Sequence, residues 1–199
     1  MKLYLLRHGQ TEANVTHTYC GITDMPLSPE GEEQLKEKRL AGGYPDVSGL
    51  DVYTTGLART EQTLQILFGD VHHKSRRSFR EMDFGIFEGK SYYEIKDLPE
   101  YQAWISGDQM KERCPGGESG NMMMARLLRG LGPLLKKGRD ALVVCHGGSI
   151  AMLFGRFFTD TGLNWYEIQP ANGEGFLIEF DGARPVRWER FPSAKNTSK

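Results

Sequence analysis

Three short apolar runs each stop at a glycine turn that opens a helical segment, and this repeated join constrains the fold more than any other feature of the chain. "KLYLL" (2–6) gives way to Arg7-His8-Gly9, "LDVYTT" (50–55) to Gly56, and "DALVVCH" (140–146) to Gly147-Gly148. Apolar runs of this length suit buried strands. The segments after them carry helix signals. Over 27–42, Ser28 is placed to cap, Pro29 takes the first helical position, acids fill the first turn, and Gly42-Gly43 can end the helix. Over 56–70, Leu57, Thr60, Leu64 and Leu67 share one face and Gly69 is a stop. A third helix is expected over 147–160.

Strands that feed helices in alternation predict a three-layer α/β/α fold, a mainly parallel sheet with helices on both faces. A strand near 75–79 and a helix over 121–138, kinked or interrupted at Gly132-Pro133, extend the framework. A final strand pair over 174–182 and 185–191, turning at Asp181-Gly182, closes it. The stretch 81–120 is irregular and rich in glycine and proline, with short helices expected near 92–97 and 99–106. We expect one domain over 1–192 with a lid-like excursion at about 82–120, and a disordered tail over 193–199.

In sheets of this kind ligands bind beyond the carboxyl ends of the strands. That edge receives Arg7, His8 and His146, and Arg59 joins it from the first turn of the second helix. With Glu81 they make a coherent set. Two guanidiniums and a helix N-terminus suit an anion, and arginine contacts phosphoryl oxygens in bidentate fashion. A neutral imidazole can attack phosphorus, a second imidazole, if charged, can stabilise the equatorial oxygens, and a carboxylic acid can protonate the leaving oxygen. That last step requires a protonated Glu81 and predicts a mildly acidic to neutral optimum.

Bulk properties exclude several classes. The net charge is −1 with the cations dispersed, which gives no footprint for nucleic acid. The apolar stretch at the start stops at Arg7, too short for a signal peptide, and no window suits a membrane span. Cys20, Cys114 and Cys145 match neither a zinc site nor a disulfide framework, so a reducing, cytoplasmic setting is expected. The five histidines (8, 17, 72, 73 and 146) offer no helical metal-ligand pair. A cysteine phosphatase needs an arginine six residues after its cysteine; here Pro26, Gly120 and Ala151 stand there. The P-loop of kinases is absent.

"RHGQTEAN", "TTGLARTEQT", "EMDFGIFEGK" and "VCHGGSI", in this order, resemble the histidine phosphatase superfamily, also called phosphoglycerate mutase-like. "YCGITDMPLSPEGEEQ" and "PGGES" match its intervening segments. The resemblance implies His8 as the phosphorylated nucleophile, with Arg7, Arg59 and His146 binding the phosphoryl group. It implies Glu81 as the acid and then the base, further phosphate contacts from Asn14 and the Gly147 N–H, and no metal or other cofactor. Cys20 and Gly21 are expected to line the pocket and to bear on substrate choice, and His17 to sit at the surface. Where the mutases place an arginine directly after the acid, this chain has Met82. It also lacks their long basic insertion. Within the family the chain is most similar to the α-ribazole phosphatases, and Tyr92, Tyr93, Phe84 or Trp104 are candidates to stack on a flat base. The implied partner is a small phosphate ester. A phosphoglycerate mutase and a non-catalytic phosphate-binding regulator are the alternatives, and a homodimer is left open.

Overall fold

A strand that is apolar on both faces needs cover on both sides, and two such strands form the centre of this fold. The computed structural model describes residues 1–192, and the expected disordered tail lies outside the described residues. Every residue of β4 (Ala141–Cys145) is buried, and β1 (Lys2–Arg7) buries Leu3, Leu5 and Leu6 completely. They are joined by β2 (Asp51–Thr54), β3 (Lys74–Ser75), β5 (Gly175–Asp181) and β6 (Arg184–Phe191). Among the described residues the strand order is β3-β2-β4-β1-β5-β6. The first four run parallel, while β5 and β6 are antiparallel additions on one side.

The helices are α1 (Glu12–Val15), α2 (Pro29–Ala41), α3 (Ala58–Phe68), α4 (Tyr92–Ile95), α5 (Pro99–Ser106), α6 (Gly120–Lys137), α7 (Gly147–Phe157) and α8 (Trp165–Ile168). Leu6, Val52, Leu142 and Val144 cluster with Leu35 of α2 and Leu64 and Leu67 of α3. Leu3, Leu5, Val143 and Cys145 cluster with Leu127 and Leu131 of α6 and Ile150 and Phe154 of α7. The three-layer expectation holds. The helices that come after β1 and β4 therefore leave for opposite faces of the sheet. Adjacent parallel strands whose connections part in this way open a crevice at their carboxyl ends.

The expected helix signals operate in the fold. Ser28 caps α2 by accepting from the Gly31 N–H at 3.0 Å, and Gly42 and Gly69 end α2 and α3 with positive φ. One expectation needs correction and a second is narrowed. The strand near 75–79 shrinks to two residues, because the chain turns at 77–79 to sink Phe79 into the core. The helix over 121–138 does not stop at Gly132-Pro133: α6 runs unbroken through Pro133. Arg129, whose carbonyl Pro133 cannot bond, lies on the exposed side, where water can serve it. The opposite side stays anchored by Leu127, Leu131 and Leu134.

Residues 82–119 leave this framework. Phe87, Ile95, Tyr101, Trp104 and Cys114 form a separate cluster there, flanked by Tyr19, Met82, Phe84 and Leu98. Neither α1 nor α8 is expected from the sequence pattern. Both carry a capping box, Thr11 with Asn14 and Asn164 with Glu167, which is their available signal.

Candidate active site

The register of β1 on β4 pairs Arg7 with Cys145, so the next residues, His8 and His146, emerge side by side at the strand ends. The His8 N–H donates to the Cys145 carbonyl at 3.0 Å, and the two rings stand 5.2 Å apart at their centroids. That spacing reflects the distance between neighbouring strands. His8 Nδ1 lies 2.6 Å from the Gly9 carbonyl. A carbonyl can only accept, so Nδ1 carries the proton and Nε2 keeps its lone pair. Burial first, then the Arg59 and Arg7 guanidiniums, hold His8 well below the ordinary histidine value. His8 is thus a neutral imidazole of fixed tautomer at a cavity wall.

His146 is fully buried behind it. Arg59 Nε can only donate, so His146 Nδ1 accepts from it at 3.3 Å, and the ring proton on Nε2 goes to Thr55 Oγ1 at 3.0 Å. Burial and then Arg59 keep this ring, too, well below its ordinary value. The structure therefore presents a neutral second imidazole. Thr55 has no counterpart among the residues singled out in the sequence. A lone threonine at a strand end carries no chemical signal.

Arg59 is 1% exposed and does not line the cavity. Its Nη1 donates to the Thr23 carbonyl at 2.8 Å and its Nη2 to the Gly21 carbonyl at 2.7 Å. Gly21 likewise lies behind the wall: its carbonyl holds Arg59 and its N–H binds Glu88. Cys20, expected beside it, does line the cavity. Arg7 reaches the cavity with Nη1 on the Pro170 carbonyl at 2.8 Å, and its buried Nε has no partner among the described residues. An unpartnered buried guanidinium N–H is costly, and an anion would satisfy it.

Glu81 comes from the irregular stretch and faces the start of α7. Its Oε2 accepts from the Gly148 N–H at 2.8 Å and its Oε1 from the Met82 N–H at 2.9 Å. Gly148 allows this approach: a Cβ there would lie 2.4 Å from Glu81 Oε1. Next door, the Gly147 N–H begins α7 and has no intrahelical acceptor. Asn14 lines the cavity with its Oδ1 occupied by the Thr11 N–H at 3.0 Å and Asn172 Nδ2 at 3.3 Å. Its amide NH₂ has no hydrogen-bond partner among the described residues.

The cavity measures about 610 Å³. Its wall also contains Tyr19, Met82, Phe84, Tyr92, Trp104, Met110, Met123, Met152 and Trp165, with Gln109 and Gln169 among them. His17, expected at the surface, is exposed but stands at this wall with a φ of 52°. Tyr93 is 76% exposed and does not line the cavity. Trp165 and Gln169 escape a reading of the sequence because their element gives no motif, and Met152 because a methionine in an apolar helix reads as core. Cys20, Cys114 and Cys145 are free thiols. Among the described residues no group of His, Cys, Asp and Glu side chains is placed to hold a metal ion. No helix there is long and apolar enough to cross a membrane.

The model of the histidine phosphatase superfamily (branch 1) matches residues 3–190. A 2,3-bisphosphoglycerate-dependent phosphoglycerate mutase of Parvibaculum lavamentivorans is 31% identical over 164 residues, covering 76% of this chain and 77% of that one. A human 6-phosphofructo-2-kinase/fructose-2,6-bisphosphatase is 31% identical over 156 residues, 78% of this chain, but the match spans only 32% of that longer relative. The α-ribazole phosphatase of Shigella flexneri superposes with a TM-score of 0.79 at 25% identity, covering 94% of each chain. A neutral imidazole at a strand tip, an unsatisfied guanidinium beside it and a family match over nearly the whole length lead to one assignment: the chain belongs to branch 1 of the histidine phosphatase superfamily.

Proposed function

We propose that the protein is a phosphomonoesterase that works through a phosphohistidine on His8 and acts on nucleoside-like 5′-phosphates of the α-ribazole 5′-phosphate kind. The lone pair of His8 Nε2 attacks phosphorus. The P–O bond to the leaving group breaks, and Glu81 gives its proton to that oxygen. Water then attacks the phosphohistidine, Glu81 takes the water's proton, and the N–P bond breaks with its electron pair returning to Nε2. Arg7, Asn14 and the Gly147 N–H hold the phosphoryl oxygens. Arg59 sets the local charge from behind through His146.

One observation carries the choice of substrate. Beyond the phosphoryl end, the cavity wall is mainly aromatic and thioether, with His17, Thr18, Cys20, Gln109 and Gln169 as its polar members and no lysine and no arginine other than Arg7. A bisphosphate or a phosphoglycerate brings a second anionic group that needs a second cation. A flat, uncharged leaving group needs only apolar faces such as Tyr92 and Trp165. The Shigella relative's name points the same way.

A panel of phosphomonoesters tests this reading. We expect α-ribazole 5′-phosphate or a related nucleoside-like 5′-phosphate to give the highest kcat/KM, with turnover unchanged by a chelator. Isomerisation of 3-phosphoglycerate faster than any hydrolysis would overturn it in favour of a mutase. The absence of turnover on every ester would overturn it in favour of a phosphate-binding regulator.

A further inference from the structure

Glu81 stands on a segment that no helix or strand supports. Between β3 and α4 the described backbone makes only short turns, at 77–79 and 85–87. Its polar groups must find partners elsewhere. Three carbonyls flanking or belonging to Glu81 find theirs in one side chain, Arg126 of α6. Arg126 Nη1 donates to the Ser78 carbonyl at 3.0 Å and the Arg80 carbonyl at 2.6 Å, and Nη2 donates to the Glu81 carbonyl at 2.8 Å. The remaining donors form a bidentate pair with Glu118: Nε to Oε1 and Nη2 to Oε2, both 2.8 Å. Glu118 in turn grips the far side of Glu81. Its Oε2 accepts from the Asp83 N–H at 3.2 Å, and its own N–H donates to the Asp83 carbonyl at 2.9 Å. Ser149 Oγ adds a bond to the Arg80 carbonyl at 2.9 Å.

We infer that Arg126 and Glu118 are positioning residues for the proton donor: together they clamp the backbone on both sides of Glu81 and so set where its carboxyl meets the leaving oxygen. The inference rests on the reading of Glu81 as the acid. Neither residue lines the cavity, so neither touches substrate. The planar guanidinium suits this task because its donors are fixed in direction, so three carbonyls and a carboxylate can be held by one rigid group. Lysine has the charge without the fork. The pair is largely buried, at 15% and 17% side-chain exposure, which protects it from screening by solvent.

The test exploits what an acid does. Proton donation matters most for a poor leaving group and little for a good one. The value of kcat/KM reports only steps through phosphoryl transfer to His8, so the later use of Glu81 as base does not enter it. We would measure kcat/KM for wild type, Glu81→Gln, Glu118→Gln and Arg126→Lys across monoesters from alkyl phosphates to 2,4-dinitrophenyl phosphate, with the melting temperature of each. Glu81→Gln is the benchmark and should fall steeply with poor leaving groups. Glu118→Gln and Arg126→Lys should repeat that slope in weaker form, losing about 10²-fold on alkyl esters, the scale of a 1 Å misplacement. On the dinitrophenyl ester they should stay within about threefold of wild type. A loss that is equal across the series, or no loss, overturns the inference and leaves the pair a purely structural one. If Glu81→Gln itself shows no dependence on leaving group, the assignment of Glu81 falls and the inference with it. If Glu81→Gln is steep while both other variants keep the wild-type slope, the inference alone falls. Should one variant fail to fold, the other carries the test, since they alter opposite partners of the clamp.

Discussion

The two halves of this site are built in different ways. His8 and His146 stand where the register of two central strands puts them, and ladder hydrogen bonds fix their backbones. Glu81 stands opposite on irregular chain, and side chains from α6 and α7 hold its backbone. The proposed nucleophile thus inherits the rigidity of the sheet core, while the proposed acid depends on a small number of charged and polar contacts. The excursion after it has its own aromatic cluster around Trp104, separate from the two cores that cover the sheet. On this account the His8 half should be as stable as the whole fold, and the Glu81 half only as stable as its local contacts.

This contrast can be broken or sharpened by experiment. The largest effect should come from the sheet side: His8→Ala should lower kcat by on the order of 10⁴ to 10⁶, with the melting temperature little changed. Steady-state kinetics beside a thermal scan would check it, and a variant retaining wild-type turnover would end the comparison. On the other side, Trp104→Ala should cost about 3–5 kcal/mol, as expected for a buried tryptophan. That loss should fall on the excursion. Amide exchange should rise over residues 82–119 while the β1 and β4 amides stay protected. Faster exchange spread evenly over the sheet would show that the two regions unfold as one. A smaller effect, about 1–3 kcal/mol, is expected for Thr55→Val, which leaves the buried His146 Nε2–H without its acceptor. Chemical denaturation would measure it.

The smallest effect is on pH dependence. Both imidazoles are held well below their ordinary value, chiefly by burial. The unfolded chain takes up these protons near pH ~6.5 while the folded chain does not, so protons favour unfolding below that value. Stability from this source is complete above pH ~6.5 and declines as the pH falls beneath it. Glu118 contributes in the same direction at lower pH. Burial would push its carboxyl up, but the bonds from Arg126 and the Asp83 N–H hold it below the ordinary value. That contribution is present above the unfolded glutamate value, near ~4.3, and is lost on further acidification. Unfolding curves from pH 8 to 4 should show wild type losing stability below pH ~6.5, and His8→Ala losing less. Identical slopes for the two proteins would contradict the neutral assignment of His8.

The same division governs how far each half is legible in the sequence. Apolar runs ending in glycine turns place Arg7, His8 and His146 at one edge, because parallel strands feeding helices permit little else. Arg59 can be read onto the right helix, but its retreat behind the wall cannot. That depends on the carbonyls of Gly21 and Thr23, which no residue type announces. Glu81 stands out only through family resemblance. Of its supports, Glu118 falls within the matched PGGES segment without a sign of its role, and Arg126 does not stand out at all, because an arginine inside an amphipathic helix reads as a solvated charge. Periodicity likewise fails at α8, a single turn whose Trp165 lines the cavity. Local pattern describes regular elements well. It says little where long-range side-chain contacts replace them.

The central claim is that the neutral Nε2 of His8 takes the phosphoryl group. Rapid acid-free quenching of the enzyme during turnover, with peptide mass spectrometry of the quenched protein, tests it most directly. The account predicts a phosphoryl group on the peptide containing His8, labile to acid and absent from His8→Ala. A phosphoryl group trapped on another residue, or turnover with no covalent adduct under any quench, would contradict it.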